Sequence, residues 1–336
     1  MKRLILLLVI VAVALSMVSC GGIAKKNSSK ITIVTTIFPQ YDWVREIVGG
    51  NSDIDIVLLQ KNGVDLHSYQ PKAKDIVTIS SCDMFVYIGG ESDDWVDEVI
   101  ATANNKKMVV VNLLESLGDD AKDEELKEGM EHEHEHDEED EDEHDEDHDH
   151  DEEHDHEAEK DEHIWLSLKN AKKLCNILKD KICEIDPDNK AAYSANCSKY
   201  VEKIEKLDKS FKDTVSAAKT KTVLFGDRFP FRYLFDDYGL DYFAAFSGCS
   251  AESEASIPTI AFLVKKVDDL GLKFIVKLED SNGKIAGTIK DSSAAKDQEV
   301  LTMYSIQAVT STDISNGITY LGEMEKNLET LKKALG

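Results

Sequence analysis

Strand-like and helix-like runs alternate along residues 31–185 and again along residues 220–336, and this repetition restricts the fold more than any other feature of the chain. Four β-rich runs, KITIVTTIF, DIDIVLLQ, CDMFVYIG and KMVVVNLL, come first; KTVLFG, LDYFAAF, LKFIVKLE and EVLTMYSI follow later. Amphipathic stretches of helical length lie between and after them: Tyr41 to Val48, Trp95 to Ala103, Ile257 to Leu270 and Ile314 to Leu335. A strand followed by a helical crossover returns to the same end of its sheet, so its neighbour runs parallel to it. The expected fold is α/β, with two lobes, each a mainly parallel sheet flanked by helices. Residues 186–219 connect them. Asp186 stands where a helix cap belongs and Pro187 at a first helical position. Tyr193, Cys197, Tyr200, Ile204, Leu207 and Phe211 recur every three or four residues, which draws one apolar stripe along a helix. One long backbone helix should therefore join the lobes and restrict hinge motion between them.

Charge is concentrated in a single insert. Residues Asp119 to Glu162 hold 28 Asp or Glu against Lys122, Lys127 and Lys160, a net −25 of the chain's −27, which leaves −2 for the rest. No basic surface remains to bind nucleic acid. The insert also holds His132, His134, His136, His144, His148, His150, His154 and His156, and no apolar residue lies between Glu131 and Glu157. Like charges at this density repel, so a disordered loop is expected over about residues 119–162. His132, Glu133 and His136 satisfy the H-E-x-x-H spacing of zinc proteases, but that motif works from a helix face that this composition cannot bury. Imidazoles among carboxylates bind metal ions weakly and many at a time. A metal-collecting loop is the favoured reading over a solubilising linker, since solvation alone requires no imidazole.

The N-terminus, MKRLILLLVIVAVALSMVSCGG, has the layout of an export signal over residues 1–19 and is short for a membrane span. SMVSC resembles a bacterial lipobox with Met17 in place of the usual Leu. Lipid on the Cys20 thiol would make residues 20–30 a flexible tether and hold the protein outside the cytoplasm on the bacterial cell membrane; an ordinary signal that happens to contain a cysteine is the competing reading. Cys82, Cys175, Cys183, Cys197 and Cys249 show no C-x-x-C spacing and read as small buried residues, with at least one unpaired.

In open α/β sheets ligands bind beyond the carboxyl ends of the strands. Four metal-capable side chains fall there: His67 after the second strand, His163 after the insert, Asp227 at the end of the fifth strand and Glu279 at the end of the seventh. Two imidazoles and two carboxylates suit Zn²⁺ or Mn²⁺. Each has a structural reading as well: a backbone contact for His67, the last of the loop histidines for His163, an ion pair with Arg228 or Arg232 for Asp227, a solvated strand end for Glu279.

TTIFPQYDWVREIVGG, GVDLHSYQPKAKDIVTISSCDMFVYIGGESDDWV and DEHIWLSLKNA resemble successive motifs of metal-uptake ABC-transporter substrate-binding proteins, the ZnuA/TroA-like family, and YLGEMEKNLETLKKAL is similar to that family's closing helix. The resemblance runs from about Lys30 to the C-terminus and places the acidic insert where zinc-specific members carry a His-rich loop. It implies two α/β lobes on a backbone helix, one divalent ion in the cleft, a monomer, no catalysis, and delivery to an ABC permease. His67 and His163 match its ligand motifs. Glu279 matches an acidic position with Asp280 beside it. The family's third ligand is usually His or Glu; here an ungapped match on YLFDDYGL gives Arg228, which cannot bind a cation, and a shift of one residue gives Asp227. A ligand set with two carboxylates keeps Mn²⁺ open beside Zn²⁺. Two other classes compete: an envelope metal hydrolase, for which no nucleophile elbow or buried H-E-x-x-H is present, and a metal buffer or adhesin without a transport role.

Overall fold

The structure, a computed structural model, describes residues 30–130, 159–250 and 254–336. The expected export signal, Cys20 and the loop histidines lie outside the described residues. All eight expected strands form: β1 (Ile31–Thr35), β2 (Ile54–Leu58), β3 (Met84–Tyr87), β4 (Val109–Asn112), β5 (Thr222–Phe229), β6 (Asp241–Ser247), β7 (Phe274–Leu278) and β8 (Glu299–Met303). They build two four-stranded sheets in the orders β2-β1-β3-β4 and β6-β5-β7-β8, with every pairing parallel. β1 is ITIVT, β-branched at every position, which suits a pleated strand. β3 is buried at all four residues, as helices on both faces of a parallel sheet require. In each sheet the order reverses beside the first strand, so each lobe has a switch point and both open at their carboxyl ends.

The connecting helix is Lys190–Ala217, 28 residues long. It starts later than the sequence suggests, because Asp186 and Pro187 open a separate turn, Pro187–Asn189, that feeds into it. Its expected stripe from Tyr193 to Phe211 is buried, joined by Val215. Ile204, Leu207, Phe211 and Val215 each contribute about 1.5–3 kcal/mol of apolar burial, so the helix is packed along its length. Among the described residues no helix is long and apolar enough to cross a membrane.

Two expectations need correction. The stretch from Ile314 to Leu335 is two helices, Ser311–Ser315 and Tyr320–Leu335. Thr319 is extended and caps the second by accepting from the Gly322 N–H, while the Tyr320 N–H is taken by Asp42 at 2.8 Å. The margins of the acidic insert are also ordered. Asp123 and Lys160 pair in an antiparallel bridge. The Glu124 N–H donates to the Glu159 carbonyl at 2.7 Å and the Asp161 N–H to the Lys122 carbonyl at 2.9 Å, and Met130 is buried in the core. Backbone partners and apolar anchors are available at both ends of the insert, which a count of charges over 119–162 overlooks.

Candidate metal centre

His67 lies in a short turn, Leu66–Ser68, beyond β2; Asp65 caps the turn by accepting from the His67 N–H at 2.9 Å. His163 sits immediately before the turn Ile164–Leu166 and is fully buried. Asp161 Oδ1 accepts from the His163 backbone N–H at 2.8 Å and lies 3.0 Å from its Nδ1. The Nδ1 of His67 lies 2.9 Å from Ser92 Oγ and 3.5 Å from Glu162 Oε2. With both Nδ1 atoms engaged behind the rings, the two Nε2 atoms face each other at 3.3 Å. A tetrahedral ion with bonds of about 2.0–2.1 Å holds two ligand nitrogens about 3.3–3.4 Å apart. The rings are thus spaced and oriented to share one ion, and each is backed by the kind of carboxylate or hydroxyl partner that fixes a ligating imidazole.

The electrostatics suit a cation. Burial, and after it the neighbouring His163, holds His67 well below the usual imidazole range, so this ring is neutral, as metal ligation requires. Glu162 is pushed up to about 7 by burial. Its Oε1 accepts from the Ser92 N–H at 2.8 Å, while Oε2 has no hydrogen-bond partner among the described residues. A buried carboxylate oxygen left without a donor is costly unless positive charge arrives nearby. The close fit of Glu162 depends on Gly90, where φ is +83° and a Cβ would stand 2.4 Å from Glu162 Oε1; only glycine meets both demands.

The carboxylates expected from the C-terminal lobe do not join the histidine pair. The Asp227 oxygens accept from the Arg228 N–H at 2.9 Å and the Leu278 N–H at 3.1 Å. The β5–β7 ladder consists of the single pair Phe225–Val276, and beyond it Asp227 supplies the acceptor for the Leu278 N–H. No ion pair ties Asp227 to Arg228 or Arg232 among the described residues: Arg228 reaches Asp65 at 2.7 Å and Asp280 at 4.0 Å, and Arg232 faces Asp236 at 3.8 Å. Glu279 accepts from the Ser305 N–H, the Ser305 hydroxyl and the Ile306 N–H at 2.9–3.0 Å, which braces a loop whose Ile306 has φ +64°. From that loop Gln307 donates to Asp65 at 2.7 Å. Burial works to raise the Asp65 carboxyl, but the Arg228 guanidinium outweighs it and holds it below its ordinary value.

Three participants escape the sequence reading. Asp161 and Glu162 look like the tail of the acidic insert, yet each is only 2 % exposed and stands behind a histidine. The apolar IWL after His163 already marks re-entry into the fold, and its two preceding acids re-enter with it. The third is Cys249, just past β6. Among the described residues, one group of three metal-capable side chains forms, His67, His163 and Cys249, with their ligand atoms within 4.8 Å of one another. Beside it, a cavity of about 330 Å³ is lined by His67, Asp65, Arg228 and Asp280.

Residues 33–334 match the family model described as zinc-uptake complex component A, periplasmic. The chain belongs to the ZnuA family. The family is one of metal-binding receptors of uptake complexes, not enzymes. The chain is 31% identical over 343 residues to the zinc-binding lipoprotein AdcA of Streptococcus pneumoniae R6, an alignment covering 99% of this chain and 61% of AdcA. It therefore spans about three-fifths of that relative's length. It is 30% identical to the high-affinity zinc uptake system protein ZnuA of Bacillus subtilis 168, over 98% of this chain and 97% of that one. Among solved structures, the Zn(II)-bound ZnuA-like domain of S. pneumoniae AdcA superposes with TM-score 0.68 at 27% identity, covering 91% of this chain and 99% of that domain. The lipoprotein YcdH of B. subtilis gives TM-score 0.70 at 26% identity, with 91% of this chain and 99% of that one covered.

Proposed function

We propose that this protein captures one Zn²⁺ ion at the facing Nε2 atoms of His67 and His163 and hands it to an ABC-type membrane permease. The observation that carries the reading is that pair, 3.3 Å apart, with both Nδ1 atoms held from behind. His67 and His163 bond the ion. Asp161 and Glu162 orient the rings and offset the incoming charge. Asp65 neutralises Arg228, so the guanidinium does not oppose a cation nearby. The zinc named for the relatives supports Zn²⁺ over Mn²⁺. On this reading residues 1–19 are removed on export, lipid at Cys20 tethers a monomer outside the membrane, residues 31–185 and 220–336 are the two lobes on either side of the linking segment 186–219, and the loop histidines collect metal for the tight site.

Competition titration of the full chain with Zn²⁺ and Mn²⁺ tests it. One tight Zn²⁺ equivalent, lost in His67→Ala and in His163→Ala but kept in His134→Ala and His150→Ala, supports the proposal. Equal losses from all four variants would leave only a metal-buffering loop. Tighter Mn²⁺ than Zn²⁺ at the same site would reassign the cargo.

A further inference from the structure

We propose that Cys249 is a third ligand to the captured ion, a thiolate that makes this receptor select thiophilic divalent cations and reject Mn²⁺. The inference rests on the receptor reading above and specifies its ligand chemistry. Cys249 offers Sγ within 4.8 Å of a ring nitrogen of each histidine, close enough for a small loop adjustment to bring all three to one ion. The approach is built into the chain. Gly248, the residue before it, is packed so closely that a Cβ there would stand 3.1 Å from His163 Cε1 and 2.9 Å from the Phe229 carbonyl. Any side chain would push the loop away from His163. From the other side the Cys249 N–H donates to Glu124 Oε1 at 3.2 Å, which ties the loop to the ordered margin of the acidic insert.

Three other side chains of this lobe are engaged elsewhere or cannot ligate. Asp227 and Glu279 spend their oxygens on backbone N–H groups, and Arg228 has no lone pair to give. A metal-free, partly buried cysteine carries its thiol proton at neutral pH. On binding, the S–H bond breaks, the proton leaves to solvent and a metal–sulfur bond forms, with no change of oxidation state. Two imidazoles and a thiolate are a zinc-type set with one position open. Thiolate favours Zn²⁺ and similar soft ions, whereas Mn²⁺ favours oxygen ligands.

Co²⁺ bound to the full chain reports sulfur directly. The wild type should show a near-ultraviolet sulfur-to-cobalt charge-transfer band, and Cys249→Ser should lose it while retaining the visible bands of bound Co²⁺. The same variant should lose about tenfold or more in Zn²⁺ affinity, since even outer-shell partners are worth about 10- to 100-fold. Cys249→Asp, which swaps in a hard oxygen ligand, should narrow the Zn²⁺/Mn²⁺ preference. A charge-transfer band absent from the wild type, or unchanged in Cys249→Ser, overturns the proposal. If tight binding still depends on His67 and His163 in that case, only the thiolate is refuted; absence of any tight site in the wild type refutes the receptor reading as well.

Discussion

Glu162→Gln should remove a pH dependence from the stability of the metal-free protein. Burial raises this carboxyl from 4.5 to about 7, and at 1.36 kcal/mol per unit the shift is worth about 3 kcal/mol. The folded state holds the proton more tightly than the unfolded state does. The group's contribution is therefore fully present below the unfolded value and is lost as pH rises through the folded one. Glutamine fills the same space and does not titrate. Urea unfolding of the wild type and variant, both full-length and with chelator, should be compared at about pH 4 and about pH 8. The stability difference, wild type minus variant, should fall by about 3 kcal/mol between them, because the other titrating groups are common to both proteins. A difference that stays constant or grows with pH would refute the placement of Glu162 as a buried acid waiting for a cation.

Asp161→Asn should weaken Zn²⁺ binding by about 10- to 100-fold, read by chelator competition, because the partner that orients His163 loses its charge. Asp227→Ala should cost about 1–3 kcal/mol of stability by orphaning the Leu278 N–H, with no change in metal affinity; a large affinity loss without destabilisation would make Asp227 a ligand. Deleting residues 131–158 should leave one tight site, abolish the weak ones seen by calorimetry, and slow metal uptake only when metal is scarce. Persistence of the weak sites would show that the insert collects nothing.

The eight strands and the linking stripe were legible because each is written in local periodicity: β-branched runs such as ITIVT, and the three-or-four spacing from Tyr193 to Phe211. His67 and His163 were legible because each follows a strand or its insert, where parallel sheets present ligands. What failed depended on contacts far apart in sequence. Glu279 follows β7 as expected and Asp227 lies two residues inside the end of β5, but the Leu278 N–H and the loop with a left-handed Ile306 claim their oxygens. Asp161 and Glu162 were concealed by composition, since two buried acids at the end of a long acidic run look no different from the rest. Cys249 follows β6 at the kind of position that singled out His67, but a cysteine with no C-x-x-C spacing read as a small packing residue.

Anomalous diffraction at the zinc edge, from crystals loaded with one equivalent of Zn²⁺, tests the central claim most directly. A single strong peak should lie about 2.0–2.1 Å from the Nε2 atoms of both His67 and His163, with Asp161 still on Nδ1 of the latter. A principal peak bonded to only one of the two, or placed among other residues, would contradict it.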